Sequence, residues 1–170
     1  MTSSIYDSSA PVFINMLKSM RNWLDKAAAE KDPIALVQAR LFEDMRPLSA
    51  QYQMASDSAK NGIARLAGID APSMPDTETT FAELQDRCDR TIAFIESVDR
   101  AALEDSEERD VTMKFPNGMG YRWKGGFYLR NFALPNFYFH ATTAYAVLRA
   151  QGVSLGKPDY LQHLGPPEQL

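Results

Sequence analysis

Apolar residues recur every three or four positions from Val12 onward: Val12, Phe13, Met16, Leu17, Met20, Trp23 and Leu24. That spacing lays one apolar stripe along a helix, here a long one opening after Asp7, Ser8 and Ser9, with Pro11 suited to its first turn. The pattern fades in an alanine-rich stretch, and Asp32-Pro33 then opens a short connecting helix over residues 34–39. A second long helix starts at Pro47, where Leu48, Tyr52, Ala55, Ala59, Ile63 and Leu66 step down one side and Gly68 caps the end. Thr80 and Glu83 form a capping box for a third. It buries Phe81, Leu84, Cys88, Ile92 and Ile95 and ends near Ser97. The fourth runs from about Gly126 to Gln151 and carries Phe137, Ala141, Ala144, Tyr145 and Leu148 on its apolar face. Gly152 closes it, and Pro135 predicts a kink or a broken first turn, because proline offers no backbone N–H.

One segment changes period. Val111, Met113 and Phe115 alternate with Thr112 and Lys114, Asn117-Gly118 is a turn dipeptide, and Tyr121 and Trp123 alternate on the return. This is a β-hairpin, and since an isolated hairpin is marginal in water its aromatic face is expected to pack on the helices. The acidic run at 104–110 reads as a solvated loop. Residues 154–170, with Pro158, Pro166 and Pro167, read as an irregular tail. The expectation is an all-α four-helix bundle over residues 1–153, with a small hairpin between helices three and four, followed by the tail. The linker between helices two and three, about 12 residues, spans roughly 40 Å extended, whereas a helix of about 18 residues is roughly 27 Å long. It can run back along the bundle and leave helices two and three parallel.

Composition narrows the class. At 45% hydrophobic and 24% charged over 170 residues, the chain is a globular domain, and neither a disordered tail nor a coiled coil. A net charge of -4 excludes a nucleic-acid partner, which needs clustered positive charge. No apolar run approaches the roughly 18 residues of a membrane span, and the polar, serine-rich start carries no signal-peptide pattern. The single cysteine, Cys88, lies in register with its helix's stripe and reads as a small buried hydrophobe in a reducing compartment. A cytoplasmic protein free of the membrane is expected.

Candidate chemistry centres on one residue. Of the two histidines, His163 falls in the tail and reads as surface, while His140 flanks the apolar face of helix four. Asn136 stands one turn before it, giving Asn-x3-His where His-x3-His would mark two metal ligands. His140 is expected to be a hydrogen-bonded core histidine, with a ligand or acid/base role as the alternative. Gln53 and Asp57 on helix two could complete a facial site with it. A helical wheel, however, places Asp57 almost opposite the Tyr52-Ala55-Ala59-Ile63 stripe, so the pair is read as solvent-facing. Ser56 is expected to satisfy itself on the backbone. Tyr138 and Thr142-Thr143 read as core or interface. No phosphate loop and no G-x-S-x-G elbow occurs.

The run from Asn131 to Tyr145, continuing through Leu148-Arg149, Gly152-Val153 and Leu155-Gly156-Lys157, resembles the signature of the DUF1993 family. So do Tyr6-Asp7, Pro11-Val12-Phe13, the Asp44–Leu48 stretch, Ala55-Ser56-Asp57 and the Asp76–Leu84 stretch, so that the resemblance covers nearly the whole chain. That family is grouped with the DinB/YfiT-like metalloenzyme superfamily. The resemblance implies a DinB-like four-helix bundle in up-down-down-up order. It also implies a metal held by one histidine on helix two and a His-x3-His pair on helix four, which some relatives use for thiol-dependent transferase or hydrolase chemistry. Here only His140 matches; Asn136 takes the other helix-four position, and helix two has no histidine. The expected function is therefore small-molecule binding or self-association on a bundle with a degraded metal site and no cofactor. The alternative is a hydrolase or transferase centred on His140, using a divalent metal (zinc, nickel or manganese, held by His140, Asn136 and Asp57) or the imidazole itself. Phe127, Tyr128, Phe132, Phe137, Tyr138 and Phe139 are more aromatics than one helix face buries, so a homodimer is expected.

Overall fold

Four long helices form where the apolar stripes fall. The computed structural model describes residues 4–169. Its elements are α1 (Ala10–Glu30), α2 (Pro33–Val37), α3 (Leu48–Ala67), α4 (Phe81–Ser97) and α5 (Arg100–Glu104). The hairpin β1 (Asp110–Lys114) and β2 (Gly120–Lys124) follows, then α6 (Gly125–Tyr128), a π-helical segment (Leu129–Ala133), α7 (Leu134–Ala150) and the short α8 (Lys157–Tyr160). The boundaries have local causes. Thr80 and Glu83 make the expected capping box on α4, and Gly68 and Gly152 end α3 and α7 at φ of 72° and 80°, a region that favours glycine.

Side-chain pairs give the helix directions. Arg21 meets Asp89 at 3.0 Å and Gln85 donates to Asp25 at 2.6 Å, so α1 and α4 are antiparallel. Asn136 donates to Ser58, and His140 pairs with Gln51, so α3 and α7 are antiparallel. Phe13 packs on Phe137 and Trp23 on Tyr145, which makes α1 and α7 parallel. The order is up-down-down-up, with α3 and α4 parallel and joined by a loop that returns along the bundle. Phe13, Leu17, Leu24, Leu48, Ile63, Leu66 and Phe137 are fully buried between them. Ala55, Ala59, Ala141 and Ala144 are buried as well, and their small side chains leave room for close helix packing. Tyr52 is inside too, and its hydroxyl is satisfied by donating to the Met20 carbonyl at 2.7 Å.

In the hairpin Val111 pairs with Trp123 and Met113 with Tyr121. Asn117-Gly118 is not a two-residue turn. Phe115 N–H donates to Met119 O at 2.7 Å and Gly118 N–H to Phe115 O at 3.0 Å, which makes a three-residue loop with Gly118 at φ 80°. Trp123 stacks on Phe132 and packs against Tyr128, seating the hairpin on the helices as expected. Helix four does break near Pro135, but as a five-residue π turn upstream of the proline instead of a kink within α7. The tail is not irregular. Val153 and Leu155 are buried, α8 and a 3-10 turn at Gln162–Leu164 follow, and Asp159 O accepts the Trp23 indole N–H at 2.9 Å while Tyr160 stacks on the same ring. A buried tryptophan needs a partner for its N–H, and the tail supplies one.

The loop returning from α3 to α4 is anchored by a buried charge. Arg87 of α4 is fully buried; its Nη1 donates to Glu78 at 2.9 Å and to Pro75 O at 3.2 Å. Its Nη2 reaches Asp57 at 2.9 Å and Asp76 at 3.0 Å. Gln53 donates to the second oxygen of Glu78 at 3.0 Å, and Lys60 pairs with Asp57 at 3.0 Å. Gln53 and Asp57 are therefore not a free solvent-facing pair: the loop covers the face the wheel left open. Ser56 bonds the Thr91 hydroxyl across the helices at 2.7 Å instead of its own backbone. Burial opposes ionisation of Glu78, but hydrogen bonds from Arg87, the backbone and Gln53 outweigh it and hold the carboxyl below its usual range.

Arg87→Met strands Glu78 without its cation, and urea unfolding at neutral pH is expected to show a loss of about 3–5 kcal/mol. Because the native pKa of Glu78 is depressed, its contribution is present above the unfolded value of about 4.3 and is lost as pH falls through the lower native value. Glu78→Gln is expected to flatten that acid limb of the stability curve.

Candidate functional site

Met54, Asp57, Ser58, Asn61 and Arg65 stand at i, i+3, i+4, i+7 and i+11, so they share one face of α3. Opposite them are His140 and Asn136 of α7 with Phe132 and Ala133 of the π segment, and Tyr128 and Met113 of β1 complete the lining. Together they enclose a cleft of about 290 Å3, at the small end of ligand-sized pockets. A π turn beside it is a common feature of functional sites, because the extra residue per turn widens the helix and re-aims its side chains.

His140 is 9% exposed and is hydrogen-bonded, as expected. Its Nδ1 lies 3.0 Å from Gln51 Oε1, and the Gln51 amide is itself oriented by donation from Nε2 to Arg46 O at 3.1 Å. That orientation makes Oε1 the acceptor and assigns the proton to Nδ1. Nε2 is left as an unprotonated nitrogen with no hydrogen bond among the described residues. Burial pushes the imidazole pKa down, which keeps the ring neutral. Such a nitrogen can accept a hydrogen bond or a proton from a bound hydroxyl, thiol or amine.

The remaining polar wall is uneven. Asn136 Nδ2 donates to Ser58 Oγ at 2.7 Å, and Ser58 donates to Met54 O at 2.6 Å. Arg65 donates from Nη1 to the Tyr128 hydroxyl at 3.1 Å and has no carboxylate partner among the described residues. Asp57 lines the cleft but is bound to Arg87 and Lys60.

Other candidates fall away. Cys88 is buried, and burial pushes its thiol up to about 12, so no thiolate forms. His163 is exposed on the 3-10 turn and lines a different cleft from His140. Thr142 bonds Tyr160 and Thr143 its own helix, while Tyr138 packs on Phe137.

Gln51, Ser58, Arg65 and Arg87 were not singled out by the sequence pattern. Only Arg87 carried a readable sign: a charge beside Cys88, within the flank of an apolar stripe, has to be paired when buried.

The metal that the resemblance implies does not fit these residues. His140 Nε2 is one good donor, Asn136 is a neutral amide, and Asp57 already serves two cations at 2.9 and 3.0 Å. Among the described residues no three His, Cys, Asp or Glu side chains cluster as a metal site. No helix among them is long and apolar enough to cross a membrane.

The chain matches the family model "Domain of unknown function (DUF1993)" over residues 5–161. It is similar to the crystal structure of a DinB family member protein from Shewanella denitrificans, with a TM-score of 0.87 and 36% identity, covering 97% of this chain and 94% of that one. Comparison with curated proteins finds no match. The match therefore runs through all four long helices, the hairpin and the docked α8, and the chain belongs to the DUF1993 family, with a DinB-type bundle as its fold.

Proposed function

We propose that this protein is a small-molecule-binding bundle whose site is the α3–α7 cleft, and that it works without a bound metal. The observation that carries this reading is the state of His140: a neutral ring, oriented by Gln51, whose Nε2 has no hydrogen-bond partner among the described residues, on a cleft lined by both apolar and hydrogen-bonding side chains. A histidine serving only the core would have both nitrogens satisfied or excluded. Binding is favoured over catalysis because the one carboxylate in the cleft, Asp57, is held by Arg87 and Lys60 and is not free to act as an acid or base partner.

A second copy of the chain is the proposed cover for Phe127 and Phe139. They stand 51% and 59% exposed on the helix-four segment, although Tyr128 and Phe137 beside them are buried.

Three outcomes are expected. In protein labelled at methionine methyls, fragments that bind shift Met54 and Met113 together while the core residues Met16 and Met20 stay in place, and His140→Ala weakens them. Hits that move only methyls outside the cleft would defeat the assignment. Protein purified without tags, chelators or nickel resin contains no stoichiometric zinc, nickel or manganese; one equivalent that vanishes in His140→Ala would restore the metal-dependent alternative. Light scattering gives a dimer that Phe127→Ser with Phe139→Ser dissociates, and a strict monomer at high concentration removes the second copy.

A further inference from the structure

The two ends of the cleft differ in chemistry, and that difference selects a ligand class. At one end Arg65 is half-buried. Its only hydrogen bond among the described residues goes to a neutral phenol, Tyr128, which leaves most of the guanidinium's five donors without an acceptor. Most other arginines of the chain are spent: Arg21, Arg87, Arg90, Arg100 and Arg130 are ion-paired, and Arg40, Arg109 and Arg149 donate to carbonyls. Arg46 and Arg122 share Arg65's lack of an anion among the described residues but stand exposed to solvent, outside the cleft. Asp57, on the same face of α3, cannot serve Arg65 because Arg87 and Lys60 already hold it.

At the other end the open group has the opposite character, since His140 Nε2 can only accept. The rest of the lining combines Met54, Met113, Phe132 and Ala133, an apolar waist, with Ser58, Asn61 and Asn136, of which Ser58 and Asn136 are bonded to each other. Arg65 and Met54 are three turns apart on α3, roughly 16 Å along the axis, and part of that distance is spanned by the arginine side chain itself. Resting on the cleft reading above, we infer that the ligand is a small elongated carboxylic acid. Its carboxylate sits on Arg65, its aromatic or aliphatic body lies across the waist, and a hydroxyl or N–H at its far end donates to His140. A guanidinium offers a carboxylate two parallel N–H donors, which gives this end both charge and direction.

Para-hydroxyphenylacetate carries all three parts and serves as the probe, with para-hydroxyphenylacetamide and para-methoxyphenylacetate as controls lacking the charge and the donor. Calorimetry on the full chain is expected to show the acid binding about ten- to a hundredfold more tightly than the amide, the range of a hydrogen bond to a charged group. Arg65→Gln is expected to level the acid-over-amide preference while Arg65→Lys keeps part of it. His140→Ala is expected to level the hydroxy-over-methoxy preference instead. An acid preference that survives Arg65→Gln, or no saturable binding of the acid at millimolar concentration, overturns the inference. If acid and amide bind equally and both shift the Met54 and Met113 methyls, the anion assignment fails and the cleft reading stands. If fragments of every charge leave those methyls unmoved, the cleft reading fails with it.

Discussion

Everything on the α3–α4 side of this bundle depends on the guanidinium of Arg87. Two parallel helices joined in sequence need a connection as long as the bundle. That connection has no regular structure to satisfy its backbone, so it must be tied down from outside. Arg87 does so from within α4: one end of its fork takes Glu78 and the Pro75 carbonyl, the other takes Asp57 and Asp76. A lysine could not divide itself this way, because the point charge of an ammonium lacks the two-ended planar geometry. The charge is also balanced locally. Three carboxylates face Arg87 and Lys60, and Arg90 stands 3.9 Å from Glu78.

That anchoring reaches into the candidate site through Asp57. The residue stands on the border between the face of α3 covered by the loop and the face that opens on the cleft. Because the loop needs Asp57 to help hold Arg87, the cleft receives a carboxylate whose charge is already answered. The site's character is then decided by what is left: an arginine without an anion, and an imidazole held neutral by burial and oriented by Gln51. Architecture and the chemistry of the cleft are coupled here by one shared side chain.

The core was legible in the sequence because a 3.6-residue period records which face of each helix meets the other helices. The stripes, the Thr80-Glu83 capping box, Gly68, Gly152 and the hairpin all follow from local chemistry, and all are present. The length of their linker allowed the parallel pairing of α3 and α4 that the structure has. The rotation of Gln53 and Asp57 was not, because periodicity marks the face that packs on helices and is silent about a second face buried under a loop. Trp23 shows the same limit. Its place in the α1 stripe was plain, but the partner of its N–H comes from the tail, far along the chain. Met113 reaches the cleft on a hairpin, and no helical pattern could place it there.

Three faces of α3 now have three separate tasks. Tyr52, Ala55, Ala59 and Ile63 meet the core; Gln53 and Asp57, the latter also paired with Lys60, meet the returning loop and the arginine that anchors it; Met54, Ser58, Asn61 and Arg65 meet the cleft. A helix buried on one face can vary freely on the others, whereas this one cannot. Its polar residues are as constrained as its apolar ones, since each buried donor or acceptor left alone costs about 1–3 kcal/mol. The Asn136 and His140 pair fits this picture. Asn136 bonds Ser58 across the cleft and stitches α7 to α3, a structural contact between helices, while His140 uses only Nδ1, on Gln51. Two side chains one turn apart on α7 thus do different work: Asn136 holds the walls together, and His140 presents a ring nitrogen that none of the described residues occupies.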